Sequence, residues 1–175
     1  MKRQHHAAGL TLIELLVAAV LTAILITSIA VAMHASLENY SVNQRVANGT
    51  HVARRVLNNI SEKIRTAQAV DSGGGSSILR IVPPDSEGID QIEYELVGTV
   101  LYYRETIGAT TNTYILVGDT LDDVKVDTFT VTKESGLDSE GQPCTAKVII
   151  DLGLDIKGQP INMRASASPR KNQTY

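Results

Sequence analysis

Residues 10–33, LTLIELLVAAVLTAILITSIAVAM, form a 24-residue run in which Glu14 is the only ionisable side chain. At 1.5 Å rise per residue such a run spans about 36 Å as a helix, enough to cross a hydrocarbon core of roughly 30 Å. It is longer than the apolar region of an ordinary secretory signal, about 7–15 residues, and the following MHASLENY offers no convincing small-residue cleavage context. Lys2 and Arg3 precede the run, and the first nine residues contain no acid. Positive flanks stay in the cytoplasm, so the rest of the chain is expected on the far side of the membrane.

Glu14 needs a separate explanation, because a carboxylate placed in hydrocarbon costs roughly 2.5–3.5 kcal/mol on insertion scales. It lies five residues into the run, where a side chain reaching back to the interface is one reading and a functional partner is the other. Its neighbours bear on the choice. The stretch Gly9-Leu10-Thr11-Leu12-Ile13-Glu14-Leu15-Leu16 combines a short basic leader, a glycine directly before the apolar run, and a carboxylate five residues after that glycine. In this it resembles the processing site of the type IV pilin and type II secretion pseudopilin superfamily.

The resemblance implies that a membrane aspartic protease, the prepilin peptidase, cuts between Gly9 and Leu10 on the cytoplasmic face and methylates the new amine of Leu10. A glycine lets the backbone lie closely in a protease cleft. The resemblance further implies that Glu14 neutralises the terminal amine of an adjacent subunit inside an apolar filament core, so that the pair rewards correct axial register. Two positions depart from the family pattern. Leu10 stands where phenylalanine is usual, and Ala23 and Val31 stand where many filament-forming relatives carry a helix-breaking Gly and Pro. With no Pro to remove a backbone donor, a continuous helix is expected.

Beyond Met33 the pattern turns amphipathic: Val42, Val46, Ala53, Val56, Ile60, Ile64 and Ala67 recur at helical spacing, with Arg45, Arg54, Glu62, Lys63 and Arg65 mainly on other faces. Gly49 is expected to soften this helix, and the Gly/Ser-rich 71–77 segment to end it and serve as a flexible connection. A helix over residues 11–69 has a length of about 90 Å, a protruding rod suited to packing against copies of itself. From Ile78 the apolar runs shorten to strand length, at 78–82, 90–96, 99–105, 114–117, 124–131 and 145–155. Ile92, Tyr94 and Leu96 alternate with Gln91, Glu93 and Glu95, as do Val148, Ile150 and Leu152 with their neighbours, which marks strands with one solvated face.

The expected fold is therefore α+β: a long amino-terminal helix packed on a small antiparallel sheet, the arrangement of pilin heads. Its parts are a leader (1–9), a membrane half of the helix (10–33), an amphipathic half (34–70), a linker (71–77) and a β-rich head (78–175). Ile92-Glu93-Tyr94, Leu101-Tyr102-Tyr103-Arg104 and Arg164 are similar in pattern to the larger minor pseudopilins of the J kind and to W-type minor pilins. The resemblance places the protein in the inner membrane as a single-pass precursor with a periplasmic or extracellular head. Its implied partners are other pilin or pseudopilin subunits, the prepilin peptidase, an inner-membrane assembly platform and membrane lipid.

Other chemistries find little support. Residues 71–175 hold nine Lys/Arg against sixteen Asp/Glu, a sign that disfavours binding to phosphate backbones, so no nucleic-acid partner is expected. Cys144 is the only cysteine, which excludes an intramolecular disulfide and reads as a small core residue. The four histidines, at 5, 6, 34 and 51, leave the head without one, so no enzyme is expected and no cofactor is assigned. Asp119, Asp122, Asp123 and Asp127 are the best acidic cluster for calcium but lack ordered loop spacing, and solvated turn acids are the simpler reading. Gly73–Gly75 has no following Lys-Ser/Thr and reads as linker, not as a phosphate cradle. Two further readings remain: a tip module that binds a secreted substrate, a surface or DNA, and a bitopic anchored protein unrelated to filaments.

Overall fold

No Gly or Pro interrupts residues 10–48, and good helix formers dominate, so nothing in that stretch removes a backbone donor or favours a turn. The outcome is α1, Leu12–Thr66, 55 residues without a break, as the absence of a helix-breaking pair had implied. The structure, a computed structural model, describes residues 11–118, 124–138 and 141–170. It divides into two compact units, Met1–Gln44 and Arg45–Tyr175.

In the first unit every residue from Thr11 to Tyr40 is exposed. Its few polar groups are satisfied inside the helix: the Thr22 and Thr27 hydroxyls donate to the carbonyls of Ala18 and Ala23, each at 2.7 Å, and Ser28 donates to Ile24 at 2.9 Å. That internal satisfaction is what hydrocarbon demands of a helix.

In the second unit, α1 buries one face, Ala53, Val56, Leu57, Ile60 and Ile64. Two antiparallel sheets receive it. The first has five strands in the order β1 (Ala69–Val70), β2 (Ile78–Val82), β3 (Gln91–Val97), β4 (Val100–Ile107) and β5 (Thr110–Val117). The second has three, β6 (Val124–Leu137), β7 (Pro143–Ile156) and β8 (Gln159–Ala167). Leu79, Ile81, Ile92, Tyr94 and Leu101 of the first sheet and Val126, Phe129, Val148, Ile150, Leu152 and Leu154 of the second join the helix face in one core. Cys144 is buried in β7.

Several expectations need correction. The strands form two sheets instead of one, because β6 and β7 are 14 residues long and pair with each other, and β7 pairs with β8, outside the meander of β1–β5. The helix stops at Thr66, short of residue 69, because Ala69 and Val70 pair with Val82 and Ile81, and Gln68 N–H already donates to Val82 O at 2.9 Å. Residues 71–77 are thus a loop between two paired strands. That loop is held: Val131 N–H donates to Ser76 O at 2.6 Å, and Lys133 Nζ to Gly73 O. The gap expected between the strands at 124–131 and 145–155 is narrower, since β6 continues to Leu137 and β7 starts at Pro143.

β8 has no counterpart among the expected strands. Its signal is the period-two series Ile161, Met163, Ala165 and Ala167, after a Lys157-Gly158 turn in which both residues have positive φ, 53° and 83°, the geometry of a tight hairpin.

Gly49 also has a different role from the expected softening. It is buried, and a Cβ there would overlap Ile156 Cδ1 and crowd Ile161 Cδ1, so the missing side chain lets the β7–β8 hairpin approach the helix. Gly49→Val is accordingly expected to destabilise the head by about 1–3 kcal/mol, the usual cost of overpacking, as measured by denaturant unfolding of the detergent-solubilised chain. An unchanged midpoint would show that the hairpin does not need this close approach.

Candidate functional site

α1 starts at Leu12, and its first turn is capped by Thr11, whose Oγ1 accepts the Glu14 N–H at 3.3 Å while its carbonyl accepts Leu15 N–H at 3.2 Å. Thr11-Leu12-Ile13-Glu14 therefore has the Thr-x-x-Glu sequence of a capping box, with Glu14 at the third helical position. Thr11 is a residue that reasoning from charge and length overlooks, although the capping pattern is present in the sequence. A carboxylate in the first turn is also favoured by the partial positive charge of the helix amino terminus. Glu14 is exposed and has no ionic partner among the described residues. Gly9 and Leu10, the expected cleavage and methylation pair, lie outside the described residues.

The surface next to this turn is apolar. Thirteen large hydrophobic side chains between Leu12 and Met33 are 54–79% exposed. Burying a Leu, Ile or Val is worth about 1.5–3 kcal/mol, so a surface of this length strongly favours a cover of lipid or of other apolar side chains. By length and composition α1 can cross a membrane.

The head contains a second cluster of chemistry-bearing side chains. Antiparallel register sets Arg80 beside Glu93 and Glu93 beside Arg104 on the solvent face of β2, β3 and β4. Arg80 Nε lies 2.7 Å from one Glu93 oxygen and Arg104 Nη1 2.7 Å from the other, and Arg104 also bonds Glu95. Asp71 Oδ2 approaches Arg80 Nη1 at 3.8 Å. Together with Gln91, Thr106 and Thr111 these residues line an open depression of about 370 Å³. Each charge there is answered by a neighbour, so the cluster reads as a tie across three strands.

Burial pushes the Glu93 carboxyl up, but the hydrogen bonds and charges of Arg80 and Arg104 outweigh it and hold the group below its ordinary range. A depressed folded value means a stabilising contribution that is complete above the ordinary carboxylate range and lost as pH falls through the folded value. Glu93→Gln is expected to remove that acid-side loss, seen as a smaller difference in thermal midpoint between about pH 7 and about pH 3 than in the parent. An identical difference in both proteins would mean that Glu93 does not report on folding.

On the opposite face, Tyr94 is buried, packs against Tyr103 with ring centroids 5.3 Å apart and planes tilted by 47°, and its hydroxyl donates a hydrogen bond to Asn59 Oδ1 at 3.3 Å. Burial first, then the charges of Glu105 and Glu87, raise its pKa and keep it a donor. Tyr103 bonds Glu105 and is likewise raised, by burial first and then by that bond.

The remaining candidates are not brought together. Asp119, Asp122 and Asp123 lie outside the described residues, and Asp127 is exposed on β6. Among the described residues no group of three or more His, Cys, Asp or Glu could hold a metal ion. His34 and His51 are exposed on α1, and His5 and His6 lie outside the described residues.

Residues 4–30 match the family model of the prokaryotic N-terminal methylation motif. No curated protein and no solved structure matches the chain. The match contains Gly9, Leu10, Thr11 and Glu14 and ends inside the apolar part of α1. The motif supports a type IV pilin-like precursor, and the α+β layout of one long helix on antiparallel sheets fits a pilin-like fold.

Proposed function

We propose that this chain is a structural subunit of a type IV pilus or type II secretion pseudopilus, a minor one, inserted in the inner membrane, cut after Gly9 and assembled through its amino-terminal helix. The observation that carries the reading is the coincidence of the methylation motif over residues 4–30 with a helix whose exposed surface from Leu12 to Met33 is mostly apolar, with Glu14 its only ionisable side chain. In the membrane, lipid covers that stripe. In a filament, the same stripes of neighbouring subunits cover one another, and Glu14 meets the amine freed at Leu10. The work is mechanical: an assembly platform adds subunits, and the head is carried outward. The head has no catalytic task in this reading, and all four histidines lie outside it.

The test is the amino terminus of the protein purified from membranes of cells that express a prepilin peptidase. The expected product begins at Leu10 with a methylated amine, and disruption of the peptidase gene restores Met1. A protein that keeps its first nine residues while other substrates of the same peptidase are processed would falsify the reading and leave a bitopic anchored protein in its place.

A further inference from the structure

The outward face of the second half of α1 has no counterpart in the core. His51, Arg54, Arg55, Asn58, Glu62 and Arg65 recur at helical spacing and are all exposed, three basic side chains against one acid. Among the described residues, Arg54, Arg55 and Arg65 have no ionic partner, whereas Arg80, Arg104, Lys147 and Arg164 on the strands each sit on a carboxylate. The stripe runs into a groove of about 650 Å³ between α1 and β8, where Arg65 and Arg170 are at the wall with Glu62 as the acid beside them. Charge divides the same way in the sequence. Residues 45–70 carry five basic side chains against one acid, and residues 71–175 carry nine against sixteen.

We propose that this basic stripe docks the acidic strand side of a second copy of the chain, led by Asp85 and Asp90 of the β2–β3 connection. Both acids are exposed and without an ionic partner among the described residues, and the Lys63–Glu87 ion pair, at 2.8 Å, fixes their connection beside the carboxyl-terminal end of α1. Arg54 lies nine residues before Lys63 on the helix, about 13 Å nearer its amino terminus. An acidic end and a basic flank on one body suit copies arranged in parallel and staggered along the helix axis. The inference rests on the filament reading for the parallel arrangement and extends subunit contact from the apolar helix to the head.

The test places a photo-crosslinking p-benzoylphenylalanine at Asn58 of the full-length chain in cells. Irradiation is expected to give an adduct of twice the chain's mass, with the captured peptide from residues 71–175. Arg54→Glu with Arg55→Glu is expected to lower its yield at least tenfold, Arg54→Gln with Arg55→Gln to lower it less, and Asp85→Arg with Asp90→Arg to restore it in the doubly reversed chain. No double-mass adduct, an adduct only to another protein or to lipid, or a yield indifferent to charge reversal overturns the proposal. Leader removal is scored in the same cells. A cut leader without the adduct sinks this surface alone, while an uncut leader with the charge-sensitive adduct sinks the filament reading and supports the surface.

Discussion

Glu14→Gln is expected to leave the leader cut and the head folded while lowering incorporation into the filament by about a hundredfold to a few thousandfold. Under the proposed function the amine freed at Leu10 is charged, and in a bundle of apolar helices it has little to answer it besides a carboxylate at this depth. Removing one partner of a buried pair costs about 3–5 kcal/mol, because the other charge stays buried and alone, and each 1.4 kcal/mol is a factor of ten. The measurement is the ratio of sheared-filament to membrane-bound subunit, with total protein held equal. Glu14 also sits in the first turn of α1, bonded through its N–H to Thr11, so helix capping is the competing explanation. Thr11→Ala separates the two, since losing a cap costs about 1 kcal/mol and is expected to lower incorporation less than tenfold. Equal losses in the two variants would assign Glu14 to capping and remove its role between subunits.

Gly9→Val is expected to leave essentially all of the precursor uncut and none of it in filaments. A β-branched side chain widens the backbone at the bond to be cleaved and narrows its conformational choice, where a glycine presents only the chain itself. The intact mass of the membrane-extracted protein reads the outcome directly. Normal processing of the valine variant would place the cut elsewhere and take Leu10 out of the proposal. The two substitutions are also expected to order the proposed pathway: Gly9→Val to stop the chain before the amine exists, and Glu14→Gln to stop it after.

Much of the amino-terminal site was legible because its signals are local. A run of apolar residues, one carboxylate in it and a glycine before it are read without knowing what any distant residue does. The capping role of Thr11 is equally local, encoded as Thr-x-x-Glu, but it is masked by the stronger signals of charge and length around it. In the head, alternation located β2, β3, β4 and the buried stretches of β6 and β7, since period two survives wherever one face is covered. β5 was expected only from residue 114, because its first residues, Thr110-Thr111-Asn112-Thr113, are exposed and carry no apolar member. β1 is two residues long and reads as the tail of the helix until β2 is in place.

The sequence by itself determined the long helix, its apolar exposed half, the motif at its start and the β character of the carboxyl-terminal half, since each depends on neighbours within a few residues along the chain. Only the tertiary structure decided that the strands split into two sheets, that residues 71–77 are pinned to β6, that Gly49 makes room for Ile156, and that Arg80, Glu93 and Arg104 bond across three strands while Arg54 and Arg55 face outward with no ionic partner among the described residues. Those facts are matters of register and approach between residues tens of positions apart, and a periodic pattern states which face a side chain occupies without stating what will be opposite it.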